Sequence, residues 1–148
     1  ASLLYLQKIM NTNTLALLQI AFSLGQDKLI EGLHNSGYKD IRPVHGKVFA
    51  FIDREKGSLL VELAKRAKVS KQFMSQLIKE VEELGYVKKI NHHTDKRAYL
   101  VTLTTKGKQA VMAADIAVVE LEALYKKQLT NDDYQKLRQL LSKLCFLK

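Results

Sequence analysis

The sequence has only one cysteine, Cys145, among its 148 residues. One cysteine cannot form a disulfide within the chain, and such scarcity is typical of proteins that work in a reducing compartment. No apolar run approaches the roughly 20 residues that a membrane-spanning helix requires. The apolar segment at residues 3–10 also lacks the basic lead and the small-residue cleavage site of a signal peptide. We therefore expect a cytoplasmic protein without a disulfide or a membrane span.

Motifs of the common enzyme classes are missing as well. The chain has no Gly-rich phosphate loop, no Gly-x-Ser-x-Gly elbow, no recognisable Cys/His pair and no clustered metal ligands. His92 and His93 adjoin Asp95, but adjacent side chains on a hairpin tip diverge, so a metal site is not expected there. These absences predict a binding protein rather than an enzyme, with neither a metal nor another cofactor.

Positive charge is in excess. The chain carries 24 Lys or Arg against 15 Asp or Glu, a formal net charge of +9, and residues 59–106 alone hold ten of the former and five of the latter. This bias favours a polyanionic partner. An anionic membrane surface is an alternative, but the basic residues do not follow one long amphipathic helix. With 47% hydrophobic residues, the chain is expected to form a single domain, residues 1–148, around one core.

Two amphipathic helices joined by a tight turn are predicted between residues 58 and 85. Ser58 is expected to cap the first helix and Ser70 the second, which runs from about Lys71 to Leu84 and ends at Gly85. The apolar residues of the first helix are Leu59, Leu60, Leu63 and Ala67. Those of the second are Phe73, Met74, Leu77, Ile78, Val81 and Leu84. This arrangement is typical of a helix-turn-helix.

The other face of the second helix is polar. It consists of Ser70, Lys71, Gln72, Ser75, Gln76 and Lys79. Glutamine pairs well with adenine, lysine with guanine or phosphate, and serine with either base type, so this face suits a recognition helix in the DNA major groove. A merely solvated helix face has the same composition, and the segment that follows favours the DNA-binding interpretation.

A basic β-hairpin is predicted directly after this helix. Residues 86–90 and 98–103 are rich in β-branched and aromatic residues and should pair as two antiparallel strands. Lys96 and Arg97 lie at the tip, where a cation can enter the minor groove. Asp95 is expected to orient Arg97 or to close the turn. Thr104 is then expected to cap the next helix, with Gly107 in its first turn.

These residues together resemble the MarR family of bacterial winged-helix regulators. The resemblance is carried by Leu63-Ala64, Val69-Ser70, Leu84-Gly85-Tyr86-Val87, Asp95-Lys96-Arg97 and Leu103-Thr104-Thr105-Lys106-Gly107. It covers roughly residues 13–147 and includes a proline-led helix from Pro43 to Ile52. It implies a mainly α fold, a winged helix-turn-helix with a two-stranded β-hairpin wing and long N- and C-terminal dimerisation helices. The DNA-binding part would span residues 43–104 and the dimerisation part residues 1–36 and 105–148.

The predicted flanking helices have more apolar surface than a small winged domain needs. One runs from Thr14 to about Asn35 and another from Thr105 to Gln128. Thr130 with Asp133 resembles a capping box, and an apolar stripe follows to the end of the chain, formed by Tyr134, Leu137, Leu140, Leu141, Leu144 and Cys145. The resemblance implies that these helices interleave into a homodimer that reads a palindrome. Without it, the same stripes could close the core of a monomer.

A small-molecule effector is also implied by the resemblance, since related regulators bind aromatic acids or other lipophilic compounds between the helical and winged parts. The candidate effector pocket comprises Tyr38, Arg42, His45 and Phe49. The alternative to a ligand-binding role for His34 and His45 is a structural one. Cys145 is expected to pack as a small hydrophobe, with redox sensing as the alternative.

The sequence therefore predicts a sequence-specific, double-stranded-DNA-binding transcription regulator, a ligand-responsive repressor that binds a palindromic operator as a homodimer and does not bind membranes. The rival interpretations are a non-specific architectural DNA-binding protein and a winged-helix module for protein interaction.

Overall fold

The computed structural model describes residues 2–91 and 98–148. The helices there are α1 (Leu3–Met10), α2 (Thr14–Asn35), α3 (Gly46–Phe49), α4 (Leu60–Ala67), α5 (Lys71–Glu83), α6 (Thr105–Leu129) and α7 (Asn131–Leu144). The strands are β1 (Ser58–Leu59), β2 (Val87–Asn91) and β3 (Tyr99–Leu103), and a single 3-10 turn, Pro43–His45, precedes α3. This mainly α architecture with a helix-turn-helix at α4 and α5 confirms the predicted fold class.

Two predicted helix caps are confirmed. The Ser70 hydroxyl accepts the backbone N–H of Phe73 at 3.0 Å at the start of α5, and Thr104 accepts that of Gly107 at 3.0 Å at the start of α6. Gly85, which follows α5, has a φ of +87°. Because this left-handed conformation is costly for residues with a Cβ, glycine suits the turn from helix to strand there.

The predicted cap at Ser58 is wrong. Ser58 is buried in β1, where its hydroxyl accepts the backbone N–H of Asp53 at 2.9 Å, and the residue before α4 is Leu59, which has no side-chain cap. The Asp53 carboxylate in turn accepts the N–H groups of Lys56 and Glu55, which holds its pKa below the usual range. Ser58 therefore stabilises the preceding turn instead of the helix.

The wing sheet has one more strand than predicted. Val87–Asn91 pairs antiparallel with Tyr99–Leu103, as expected, and β1 adds to the other edge of β3 in the order β1-β3-β2. With only two residues, β1 is too short for an alternating pattern to predict it.

Two predictions about helix ends are also corrected. Thr130 precedes α7 but makes no side-chain cap, so the proposed capping box with Asp133 is absent; its backbone has a φ of +68°. The segment 43–52 is not one helix but the 3-10 turn followed by the four residues of α3. The N–H of Arg42 donates to Nδ1 of the His45 ring at this start, so a side chain supplies an acceptor for an N–H group that has none within the helix.

The core lies beneath α5. Met74, Leu77, Ile78 and Val81 of α5 are all buried, together with Leu63, Ala64 and Ala67 of α4 and Val101 and Leu103 of β3. Phe73, predicted in the same stripe, is instead 41% exposed. One face of α5 is therefore fixed by apolar packing, and the opposite face remains in solvent.

The long helices α2 and α6 pack against each other through small residues. A Cβ at Gly32 would lie 2.9 Å from the Cβ of Ala117, closer than real Cβ atoms approach, so glycine is required for this contact. Apolar side chains on the outer faces of the helices remain exposed, among them Leu15, Phe22, Ile116, Val119, Leu140 and Leu144. The helical part therefore has apolar surface that this chain does not cover.

Tyr86 connects the end of α5 to the start of α6. It is fully buried, its N–H donates to Val81, and its carbonyl accepts the N–H of Thr104 at 3.0 Å. The same carbonyl lies so close to Gly107 that a Cβ there would overlap it. Gly107 therefore allows the first turn of α6 to contact the backbone of Tyr86.

Gly107→Ala should destabilise the fold by about 1 to 3 kcal/mol. The added methyl group would displace the backbone carbonyl of Tyr86, which cannot move aside as a flexible side chain could. Urea unfolding followed by circular dichroism measures this change. Gly46→Ala is the matched control, since a Cβ there meets nothing within 4 Å, and alanine in a helix should be neutral or stabilising by about 1 kcal/mol. Equal stability of the two variants would contradict the close contact at Gly107.

Candidate nucleic-acid interface and ligand cavity

The predicted DNA-contacting residues of α5 share one exposed face. Lys71, Gln72, Gln76 and Lys79 are exposed and Ser75 is partly buried, while Ser70 occupies the cap. Gln72, Gln76 and Lys79 follow one another at spacings of four and three residues, which places them in one row along the helix. This row is opposite the buried row that contains Met74 and Val81. The face is therefore free to carry donors and acceptors toward a ligand.

Acidic residues follow this row at the C-terminal end of α5. The Glu80 carboxylate accepts a hydrogen bond from the Arg42 guanidinium at 2.6 Å and lies 3.2 Å from Nε2 of His45. Glu82 lies 3.7 Å from the ammonium group of Lys89 on β2. These basic partners offset the negative charge of two carboxylates next to the polar row, which lowers the electrostatic cost of bringing a polyanion to α5.

The described part of the wing is basic. Lys88 and Lys89 are exposed on β2, and the Lys89 ammonium lies 5.0 Å from the centre of the Tyr99 ring. Asp95, Lys96 and Arg97, predicted to orient the tip and to enter the minor groove, lie outside the described residues, as do His92 and His93. Their roles stay predictions.

An apolar cavity of about 200 Å³ lies between α2, the segment 41–50 and α6. Its walls include Leu29, Ile30, Leu33, Ile41, Pro43, Gly46, Phe49, Ala110, Val111, Ala114 and Val118, with Gln26, Arg54 and Asp115 as the polar members. An apolar cavity of roughly 150 Å³ is large enough to bind benzene in another protein. This cavity therefore has the size and lining for a ligand with a single ring.

Of the four residues predicted for an effector pocket, only Phe49 lines this cavity. The Tyr38 ring packs against Tyr86 with a centroid distance of 6.2 Å, and Arg42 and His45 contact Glu80. His34 lies 2.9 Å from the carbonyl oxygen of Ile41. Both histidines thus have partners of the kind that a structural role requires.

Arg54 and Asp115 beside the cavity were not predicted. The guanidinium donates to both carboxylate oxygens, at 2.6 and 2.8 Å, and these hydrogen bonds lower the pKa of Asp115 and raise that of Arg54. The pair joins the turn after α3 to α6. Because 61 residues separate the two side chains, no local sequence pattern could indicate their contact.

The ion pair should make stability depend on pH. A carboxyl group with a lowered pKa in the folded state stabilises the fold above its unfolded pKa of about 4, and this contribution is lost as the pH falls through the folded pKa. The side chains are 53% and 51% exposed, so solvent screening limits the effect to about 1 kcal/mol or less.

Asp115→Asn should lower the free energy of unfolding at pH 7 by up to that amount, and the difference from the unchanged protein should shrink below about pH 4. Urea unfolding at a series of pH values measures it. A difference that stays constant down to about pH 3 would show that ionisation of Asp115 is not its cause.

Two absences apply only to residues 2–91 and 98–148. No group of three or more His, Cys, Asp or Glu residues in these ranges could hold a metal ion, and no helix among them is long and apolar enough to cross a bilayer.

Comparisons with known proteins show what the chain is similar to. No curated protein matches the chain, but a model of the MarR family matches residues 39–98. The reduced form of MarR from E. coli is 26% identical with a TM-score of 0.78, over 90% of this chain and 96% of that one. Apo wild-type MarR from E. coli is 25% identical, with a TM-score of 0.74 over 90% and 97%. The S. aureus MepR–DNA complex, at 19% identity, has the same fold with a TM-score of 0.75 over 91% and 98%.

The matched residues include the helix-turn-helix and the strand β2, where most of the motifs that carry the resemblance lie. The structural similarity extends over the long helices on both sides as well. Over residues 39–98 the chain is similar to the MarR family, and over most of its length it has the fold of MarR from E. coli.

Proposed function

We propose that this regulator binds DNA sequence-specifically as a homodimer and acts as a ligand-responsive repressor. The observation that carries the proposal is the exposed row of Gln72, Gln76 and Lys79 on a helix whose other face is buried. A structure of the related fold, S. aureus MepR, was solved as a complex with DNA. A regulator of this kind would act in the cytoplasm, where it meets its operator.

The chemistry of the row suits base edges in the major groove. A glutamine amide can donate to N7 and accept from N6 of adenine, and a lysine ammonium can bind guanine O6 and N7 or a phosphate. Ser70, Lys71 and Ser75 lie in the same N-terminal half of α5, the part of a recognition helix that usually contacts bases. Lys96 and Arg97 of the wing would bind the adjacent minor groove.

A second copy of this chain is the proposed partner of the exposed apolar faces. Phe22 of α2 and Val119 of α6 are 67% and 69% exposed. Their burial across a two-fold interface would remove apolar surface from water. Each Å² of apolar surface buried in this way would stabilise the dimer by about 25 cal/mol. The stripes therefore remain uncovered within one chain, which favours an interface over closure of a monomer core. A two-fold axis would place two recognition helices about one DNA turn apart.

The apolar cavity supports a response to a small lipophilic or aromatic compound. It lies where the winged part meets α2 and α6, so a ligand would contact both parts of each protomer. Ligand binding that favours a conformation with poorly placed recognition helices would release the operator. Repression relieved by a ligand is the regulation that this geometry favours.

Non-specific architectural binding is the rival function, and the net charge of +9 is the observation that favours it. A protein-interaction module is the second rival. Selection of tight-binding duplexes from a random DNA pool at physiological salt separates the three. We expect enrichment of an inverted repeat with half-sites about 10 base pairs apart. Binding without enrichment would establish the architectural function, and absence of binding would leave the interaction module.

Gln76→Ala should weaken binding to the selected operator by about 1 to 3 kcal/mol and relax the preference at one base position. Fluorescence anisotropy with single-base operator variants measures both effects. Gln135→Ala on α7 is a matched control, since Gln135 is exposed and lies far from α5 in the sequence. Equal weakening on every sequence would mean that Gln76 does not read a base.

Leu141→Asp should disrupt the dimer, because a carboxylate would lie unpaired within the interface. Leu141 is 37% exposed in the single chain, so the fold of the protomer should tolerate the change. Gln139→Asp adds the same charge on the other face of α7 and should leave the dimer intact. Light scattering reports the mass of each variant, and a dimer that persists in Leu141→Asp would place the interface elsewhere.

A further inference from the structure

Glu80 differs from the other acidic residues of the recognition helix in its partners. The Arg42 guanidinium and Nε2 of His45 both contact its Oε2 atom, at 2.6 and 3.2 Å. We call these three residues the Glu80 cluster. Glu83 lies three residues after Glu80 on the same helix and has no ion pair among the residues that the structure describes. Glu80 therefore links α5 to the segment before α3.

His45 fixes the geometry of this cluster. Its side chain is 1% exposed, and Nδ1 accepts the backbone N–H of Arg42 at 3.0 Å. The neutral ring must then carry its proton on Nε2, which points to Glu80. A buried polar ring is stable only when its hydrogen bonds are made. The Glu80 carboxylate thus faces Nε2 of His45, and the hydrogen bond from the Arg42 backbone N–H to Nδ1 fixes the position of that ring.

The segment that holds Arg42 and His45 also forms a wall of the apolar cavity. Ile41, Pro43, Gly46 and Phe49 line the cavity, and they alternate in sequence with the residues that bind Glu80. One short segment therefore contacts a prospective ligand on one side and the recognition helix on the other. A displacement of this wall would move the partners of Glu80 as well.

Directional bonds matter here because the buried side chains of α5, among them Met74 and Ile78, make apolar contacts. Apolar packing resists separation but is non-directional, so it constrains rotation of a helix about its axis less than hydrogen bonds do. Gln76 lies four residues before Glu80, one turn along the same side of α5. Paired hydrogen bonds to a base require defined geometry, so a small rotation would reduce base recognition more than phosphate contact.

We propose that Glu80 is a positioning residue: through Arg42 and His45 it couples the wall of the apolar cavity to the orientation of the recognition helix. Glu80 does not touch the DNA. The inference rests on the proposed function, because it assigns the path by which occupancy of the cavity alters operator binding. The affected quantity is the ratio of operator affinity to the affinity for a scrambled duplex of the same length.

Glu80→Ala and Glu83→Ala form a matched pair that separates positioning from charge. Each removes one negative charge near the DNA and should raise the affinity for both duplexes alike. We expect Glu80→Ala to lower the affinity ratio by about 5-fold or more, and Glu83→Ala to change it by less than about 2-fold. Fluorescence anisotropy with the selected operator and the scrambled duplex gives both affinities. An equal ratio in the two variants would overturn the proposal.

Two further variants exclude a purely electrostatic or structural effect. Glu80→Gln keeps an oxygen acceptor for Arg42 and His45 without the charge, so it should recover part of the ratio that Glu80→Ala loses. Arg42→Ala breaks the cluster from outside α5 and should lower the ratio as Glu80→Ala does. Thermal unfolding by circular dichroism establishes the temperature at which each variant is folded. A Glu80→Gln ratio equal to that of Glu80→Ala would contradict positioning by hydrogen bonds.

The coupling to the cavity can be tested with a side chain in place of a ligand. Ala114→Leu adds volume to the cavity wall on α6 and should lower the affinity ratio in the otherwise unchanged protein. In the Glu80→Ala background the same substitution should have little further effect, because the connection is already broken. Additive effects, or no effect of Ala114→Leu alone, would overturn the coupling. Absence of DNA binding by the unchanged protein would instead overturn the proposed function and the inference together.

Discussion

The burial of Tyr86 is the constraint on which the winged part depends. Its ring packs edge-on against Phe49, its hydroxyl donates to Asp40, and the Lys106 ammonium lies 4.4 Å from the ring centre. Burial and the bond to Asp40 raise the pKa of Tyr86 well above its usual range, so the phenol stays protonated and remains a donor. The side chain therefore holds the segment before α3, the end of α5 and the start of α6 at one point.

This arrangement gives α5 a fixed position relative to α6. Val81 of α5 accepts the N–H of Tyr86, and the Tyr86 carbonyl accepts that of Thr104, which caps α6. The start of α6 is thus connected to the end of α5 through backbone hydrogen bonds of Tyr86. In a dimer built from α6 and its neighbours, the separation of the two recognition helices would depend on these few contacts.

Local patterns allowed most of the elements to be predicted, and contacts between distant residues account for what was missed. Ser70, Thr104 and Gly85 act through neighbours within four residues, so their roles could be inferred from the sequence. Ser58 accepts the N–H of Asp53 instead of capping α4, which a capping pattern does not indicate. Arg54 with Asp115 and Arg42 with Glu80 are joined across 61 and 38 residues. The exposed row of α5 was predicted, whereas the cavity and the Glu80 cluster required the fold.

The brevity of α3 bears on the proposed coupling between the apolar cavity and α5. A helix of four residues has too few internal hydrogen bonds to be stable alone, so the side-chain contacts on its flanks determine where the segment lies. Phe49 and Val48 pack into the core, while Arg42 and His45 are held by Glu80. A longer helix would resist a change on one side through its own backbone. A short one must adjust on both sides together, and this is the physical reason why a segment of this length suits the proposed connection between the apolar cavity and α5.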